Sequence, residues 1–91
     1  MVNDLTKFID NLNASVSIFP NPTNNSFSVE SEKFNENTVI KIINEFSQIV
    51  YHSNLFSDKN LINIEQLSNG IYFLQIFENN KLIGVKKILK Q

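Results

Sequence analysis

Leu67 to Leu89, LSNGIYFLQIFENNKLIGVKKIL, holds two apolar runs joined across Glu78-Asn79-Asn80-Lys81, and that pattern predicts a β-hairpin. Ile71 to Phe77 is rich in β-branched and aromatic residues and is interrupted only by Gln75. A run of that kind predicts a central strand covered on both faces. Asn79 and Asn80 tolerate the positive φ that a two-residue hairpin turn requires. In the second run the alternation slips, because Ile83 and Val85 share one parity while Ile88 holds the other. A bulge near Gly84 would return both sets to the core.

Upstream of the hairpin the same period of two recurs in short segments. Val16 and Ile18 alternate with Ser17, and Phe19 leads into Pro20-Asn21-Pro22-Thr23-Asn24-Asn25, where two prolines forbid a regular ladder and set a rigid turn. Phe27 and Val29 alternate with serines and Glu30. Ser31 to Asn37 is polar apart from Phe34 and predicts a loop. Thr38 to Asn44 is the third strand, with Ile40 and Ile42 inward, and Glu45-Phe46-Ser47 turns the chain. Ile49, Val50 and Tyr51 make a short fourth strand, Ser53 to Asn60 a loop, and Leu61 to Glu65 a fifth strand with Ile62 and Ile64 inward. Leu67 then plugs the core. Short strands with turn signals at roughly ten-residue intervals predict an all-β fold, an antiparallel β-sandwich of about seven strands of the immunoglobulin-like kind.

Residues 2–12 differ from the rest. Val2, Leu5, Phe8, Ile9 and Leu12 recur at three- and four-residue spacing, with Asn3 placed as an N-cap, which predicts a short helix. A helix this short is marginal in water unless it packs on something. Residues 1–15 therefore read as a linker or short helix left from an upstream region, with the sandwich domain spanning 16–91.

The chain has 91 residues, enough for one small domain, and no cysteine with which to staple it. Stability must come from the Ile, Leu, Val and Phe of the strands. Formal charge is −1, and all eight basic residues are lysine, which argues against a nucleic-acid partner. No run approaches the roughly 18 to 20 apolar residues of a transmembrane segment. The start, MVNDLTKFID, lacks the pattern of a secretory signal, so the chain reads either as an internal protein or as the tail of a longer precursor.

Groups that could do chemistry are sparse. His52 is the single histidine and stands beside Ser53 without an evident orienting acid, so a solvent-exposed role outweighs a catalytic one. Glu30 and Glu32 face the same way on an extended chain, but calcium wants six to eight oxygens from a preformed loop. With only Gly70 and Gly84, no glycine-rich phosphate loop can form. The residues thus predict no enzyme, no metal and no cofactor. Gly70 reads as a bulge or positive-φ residue, and Tyr72 as a buried ring whose hydroxyl reaches a backbone group. Lys86, Lys87 and Lys90 read either as edge protection or as a recognition patch.

Three pieces in this order resemble the C-terminal sorting domain of type IX secretion system cargo in Bacteroidota. They are Ile18-Phe19-Pro20-Asn21-Pro22-Thr23, similar to the family's apolar-aromatic-PNP opening; Leu67-Ser68-Asn69-Gly70-Ile71-Tyr72-Phe73, similar to its L-x-x-G-x-Y strand; and Lys87-Ile88-Leu89, similar to its terminal lysine followed by apolar residues. The resemblance covers Val16 to Gln91. Two family glycines are replaced, by Asn24-Asn25 after the PNP turn and by Ser47 between the third and fourth strands.

The resemblance implies a secretion address. Cargo would cross the inner membrane by its own N-terminal signal and be read by the outer-membrane type IX translocon. It would then reach the cell surface or the medium, with a sortase-like peptidase cutting near Asn13 to Ser15. The recognition residues implied are Pro20, Asn21, Pro22, Gly70, Tyr72, Lys86, Lys87, Ile88, Leu89 and Lys90. The chain-terminal strand is expected at a sheet edge, with unpaired backbone groups open to strand addition by a partner. The alternative is an immunoglobulin- or fibronectin-like adhesion or carbohydrate-binding module. Aromatic residues clustered on one exposed face would favour it, but Phe34, Phe46 and Phe56 lie in different loops and can equally serve as core plugs.

Overall fold

The computed structural model describes residues 15–55 and 57–91. The expected helix at residues 2–12 and Phe56 lie outside the described residues. All seven regular elements within them are strands: β1 (Ser17–Phe19), β2 (Ser26–Glu30), β3 (Thr38–Ile43), β4 (Ile49–Asn54), β5 (Lys59–Asn63), β6 (Gly70–Glu78) and β7 (Lys81–Lys90). Every strand pairing is antiparallel. They form two sheets, ordered β1-β2-β5 and β4-β3-β6-β7. The expected all-β, two-sheet architecture is what the chain adopts.

Period-two patterning explains the layer between the sheets. Phe27 and Val29 of β2, Ile40 and Ile42 of β3, Leu74 and Ile76 of β6 and Ile88 of β7 are all fully buried, while their sequence neighbours face outward. Complete burial of one such side chain contributes about 1.5–3 kcal/mol. The loops that cross between sheets carry plugs of their own. Phe34 between β2 and β3, Leu55 between β4 and β5, and Ile64 between β5 and β6 are buried in the same cluster, with Leu67 partly buried against it. Sequence alternation could not flag Leu55, because it lies just past the end of its strand.

A constant-type immunoglobulin domain sets its fourth strand beside the fifth. Here a tight turn returns β4 alongside β3 instead. Asn44 builds that turn: its side-chain oxygen accepts from the amides of Phe46 (2.9 Å) and Gln48 (3.0 Å), and its own amide group donates to Gln48 Oε1 at 2.8 Å. Ser47, which stands where the resemblance implies a glycine, takes the left-handed φ of 65°. Non-glycine residues with positive φ are otherwise confined, among the described residues, to Asn79 (51°) and Asn80 (67°), the hairpin turn read from the sequence.

β6 is central in its sheet, between β3 and β7. Its second face, expected to be covered, is not: Ile71 is exposed, and Phe73, Gln75 and Phe77 are half-buried, because no further layer of the described chain packs there. The β7 bulge falls where the parity slip put it. Ile76 pairs with Gly84 and Phe77 with Leu82, leaving Ile83 as the extra residue. Ile83 packs on the core and Ile88 is fully buried, but Val85, beyond the bulge, lies on the opposite face.

Candidate recognition site at the C-terminal strand

The segment after β1 cannot continue a ladder, because Pro20 and Pro22 lack the N–H that pairing needs. It leaves the first sheet and lies along β7 of the second. Thr23 forms a parallel bridge with Lys90: its amide donates to Leu89 O at 2.9 Å, and its carbonyl accepts from the Gln91 amide at 2.8 Å. Thr23 is fully buried, and its hydroxyl donates to Ser26 O at 2.7 Å. Asn21, held between the two prolines, uses its side chain as a substitute strand. Nδ2 donates to Lys87 O at 2.9 Å, and Oδ1 accepts from Leu89 N at 3.1 Å.

β7 is indeed the edge of its sheet, yet the expected free edge is absent at its C-terminal end. Outward backbone groups of Lys87, Leu89 and Gln91 are bonded to Asn21 and Thr23. A partner strand could pair there only by displacing them. The cause is chemical: an amide side chain presents one donor and one acceptor with nearly the spacing of a peptide group.

The second motif piece reaches the same place. Gly70 opens β6 opposite Lys90 with φ of 152°, and no atom stands within 4 Å of where its Cβ would be. Backbone conformation, not crowding, is therefore the reason for glycine. Tyr72 pairs with Ile88, buries its ring and donates its hydroxyl to Ser68 O at 2.6 Å, as its sequence context suggested. The Lys90 ammonium lies 3.5 Å from Asn69 Oδ1, at the long limit of a hydrogen bond. Pro20-Asn21-Pro22-Thr23, Ser68 to Tyr72 and Lys87 to Lys90 thus meet at one end of the sandwich.

A family model described as the secretion system C-terminal sorting domain matches residues 17–91. The chain belongs to this family, the sorting tail of type IX secretion. Comparison with curated proteins finds no match. The match leaves residues 1–16 outside. The family is a sorting signal, which places the protein's destination at the cell surface or beyond.

Within this sorting domain the lysines do not form one patch. Lys87 projects from the outer face, paired with Phe73, whereas Lys86 and Lys90 share the core-facing parity of Ile88. Lys86 is half-buried and Lys90 only 7% exposed. Adjacent strand residues must point to opposite faces, so three lysines in five positions are split by the pleat. Ile88 is wholly internal, and Leu89 is exposed on the outer face. Pro20, Asn21 and Pro22 are exposed. Thr23 and Asn69 stand inside the quoted motif pieces but outside the recognition residues that the resemblance implies.

His52 is exposed on β4 opposite Lys41. Among the described residues no group of three or more His, Asp or Glu is gathered as a metal site would require, and no helix is long and apolar enough to cross a membrane.

Proposed function

We propose that this domain is the address of a longer precursor. An upstream cargo crosses the inner membrane by its own signal, and the outer-membrane type IX translocon reads the folded tail. A sortase-like peptidase then cuts near Asn13 to Ser15. Membership of the sorting family carries this reading, and the convergence of three separated motifs on the end of β7 supports it. A translocon that must accept many cargoes needs a label recognised independently of what precedes it. A folded corner tied together by Asn21 and Thr23 has that property.

The adhesion module has less support. Of the loop phenylalanines, Phe34 is a core plug and Phe46 is exposed on the β3–β4 turn, so the two do not share one exposed face. An open groove of about 510 Å³ is lined by Ser, Glu, Asp and Lys and not by aromatic rings.

The test is a fluorescent reporter with an inner-membrane signal peptide, fused ahead of residues 1–91 and expressed in a host with type IX machinery. Replacing Lys86 and Lys87 by Gln removes two charges while keeping most of each stem; the exposed Lys87 should cost no more than about 0.5 kcal/mol, and melting of the purified domain checks the half-buried Lys86. The reporter should then accumulate in the periplasm while the purified domain still melts cooperatively. Normal export of the double variant would mean the lysines are not read. Export of a reporter ending at residue 85 would end the sorting reading itself.

A further inference from the structure

The outer face of the β4-β3-β6-β7 sheet is apolar where a solvated face would be polar. Ile49, Ile43 and Phe73 are register neighbours across three strands, and Ile71 pairs with Leu89 beside them. Ile49 is 56% exposed, Ile71 41% and Leu89 36%. The turn joining Ile43 to Ile49 carries Phe46, at 75% the most exposed large apolar side chain described. That turn is not loose, since Asn44 bonds to Phe46 N, Gln48 N and Gln48 Oε1. A large ring is thus held in water on an ordered support, the arrangement that lowers the entropy cost of binding.

Charge identifies what would cover this face. Although the protein is net acidic, no outward strand position of the sheet carries a carboxylate, while Lys41, Lys87 and His52 all lie there. The neighbouring carboxylates lie at Glu45 in the turn, at Glu36 near Lys41 and Phe77, and at Glu78, which ends β6 on the core-facing parity and pairs with Lys81. A second copy docked face to face would oppose lysine with lysine. An anionic membrane is normally held by clusters of about four to eight basic residues, and two lysines fall short of that. We infer that this face docks a folded protein surface, with an apolar recess for Phe46 and carboxylates opposite Lys41 and Lys87. The inference rests on the sorting reading, and the partner is then a component of the outer-membrane export machinery. Its contact adjoins the Asn21 corner at Ile71, Lys87 and Leu89 and extends from there across the sheet to Phe46 and Ile49.

The experiment uses the same reporter fused to residues 1–91. A photo-crosslinking residue replaces Phe46 on the proposed face or, as control, Leu61, which is 73% exposed on the opposite sheet. Position 46 should cross-link to an outer-membrane export protein and position 61 should not. Phe46→Ser combined with Ile49→Thr, both on the proposed face and outside the recognition residues named above, should lower export at least tenfold while the purified chain keeps its melting temperature. Cross-linking at position 46 to the upstream reporter, to a second copy, to lipid alone or to nothing overturns the inference. So does wild-type export of the double variant in a host where Lys86→Gln with Lys87→Gln blocks it, and then the sorting reading survives. If the unmodified reporter is not exported, both fall together.

Discussion

Asn21 holds Leu89, 68 residues further along the chain, as a neighbouring strand would: its side-chain oxygen accepts the Leu89 amide proton at 3.1 Å. The same side chain donates to Lys87 O at 2.9 Å. Asn21→Ala removes both bonds, each worth about 0.5–1.5 kcal/mol net, so a loss of about 1–3 kcal/mol is expected in urea unfolding. Hydrogen exchange at the Leu89 amide should accelerate selectively. An unchanged midpoint would mean that water replaces the amide without loss.

Tyr72→Phe isolates a second tie at the same end. The ring stays buried, but the 2.6 Å bond to Ser68 O is lost. A destabilisation of about 0.5–1.5 kcal/mol is expected. No change in the denaturation midpoint would show that the hydroxyl is held no better there than in water.

Two backbone positions should respond in opposite directions. Gly70 has φ of 152° with open space around it, so Gly70→Ala should cost about 1–3 kcal/mol through backbone conformation alone. Ser47 already occupies the left-handed region at 65°. Ser47→Gly should relieve that and stabilise by about 0.5–1 kcal/mol after the added chain entropy is counted. For a domain of this size, about 1 kcal/mol moves the thermal midpoint by roughly 4–8 °C, which calorimetry resolves.

The faces of β6 can be separated by a pair of alanines. Leu74 is fully buried, and Leu74→Ala should cost about 2–5 kcal/mol. Ile71, on the outer face of the same strand, is 41% exposed, and Ile71→Ala should cost at most about 1 kcal/mol. A register slipped by one residue would reverse the two results.

Much of the sandwich was determined locally, by residues whose pattern has the period of the structure they form. Phe27 with Val29, Ile40 with Ile42 and Leu74 with Ile76 point inward because a strand alternates its faces, and Asn79-Asn80 supplies the turn conformation wherever the chain goes next. The bulge was legible for the same reason, since a parity change between Ile83 and Ile88 cannot be accommodated by an unbroken ladder. The motif positions could be picked out, but not what they touch.

Only the tertiary structure decided which edge is closed, which lysine faces outward and which phenylalanine is core. Asn21 and Thr23 meet Leu89 through side-chain and backbone groups far apart in sequence, and such bonds leave no period to read. Phe34 and Phe46 lie in similar polar loops, yet one crosses between sheets and is buried, while the other caps a turn within a sheet and is left in water. Lys87 and Lys90 differ by an odd number of residues, so they stand on opposite faces of β7, and only the stacking of β1-β2-β5 on one of those faces makes it the inside. Local sequence sets which residues share a face. Which face is covered depends on where the second sheet comes to lie, and that is settled by long-range packing.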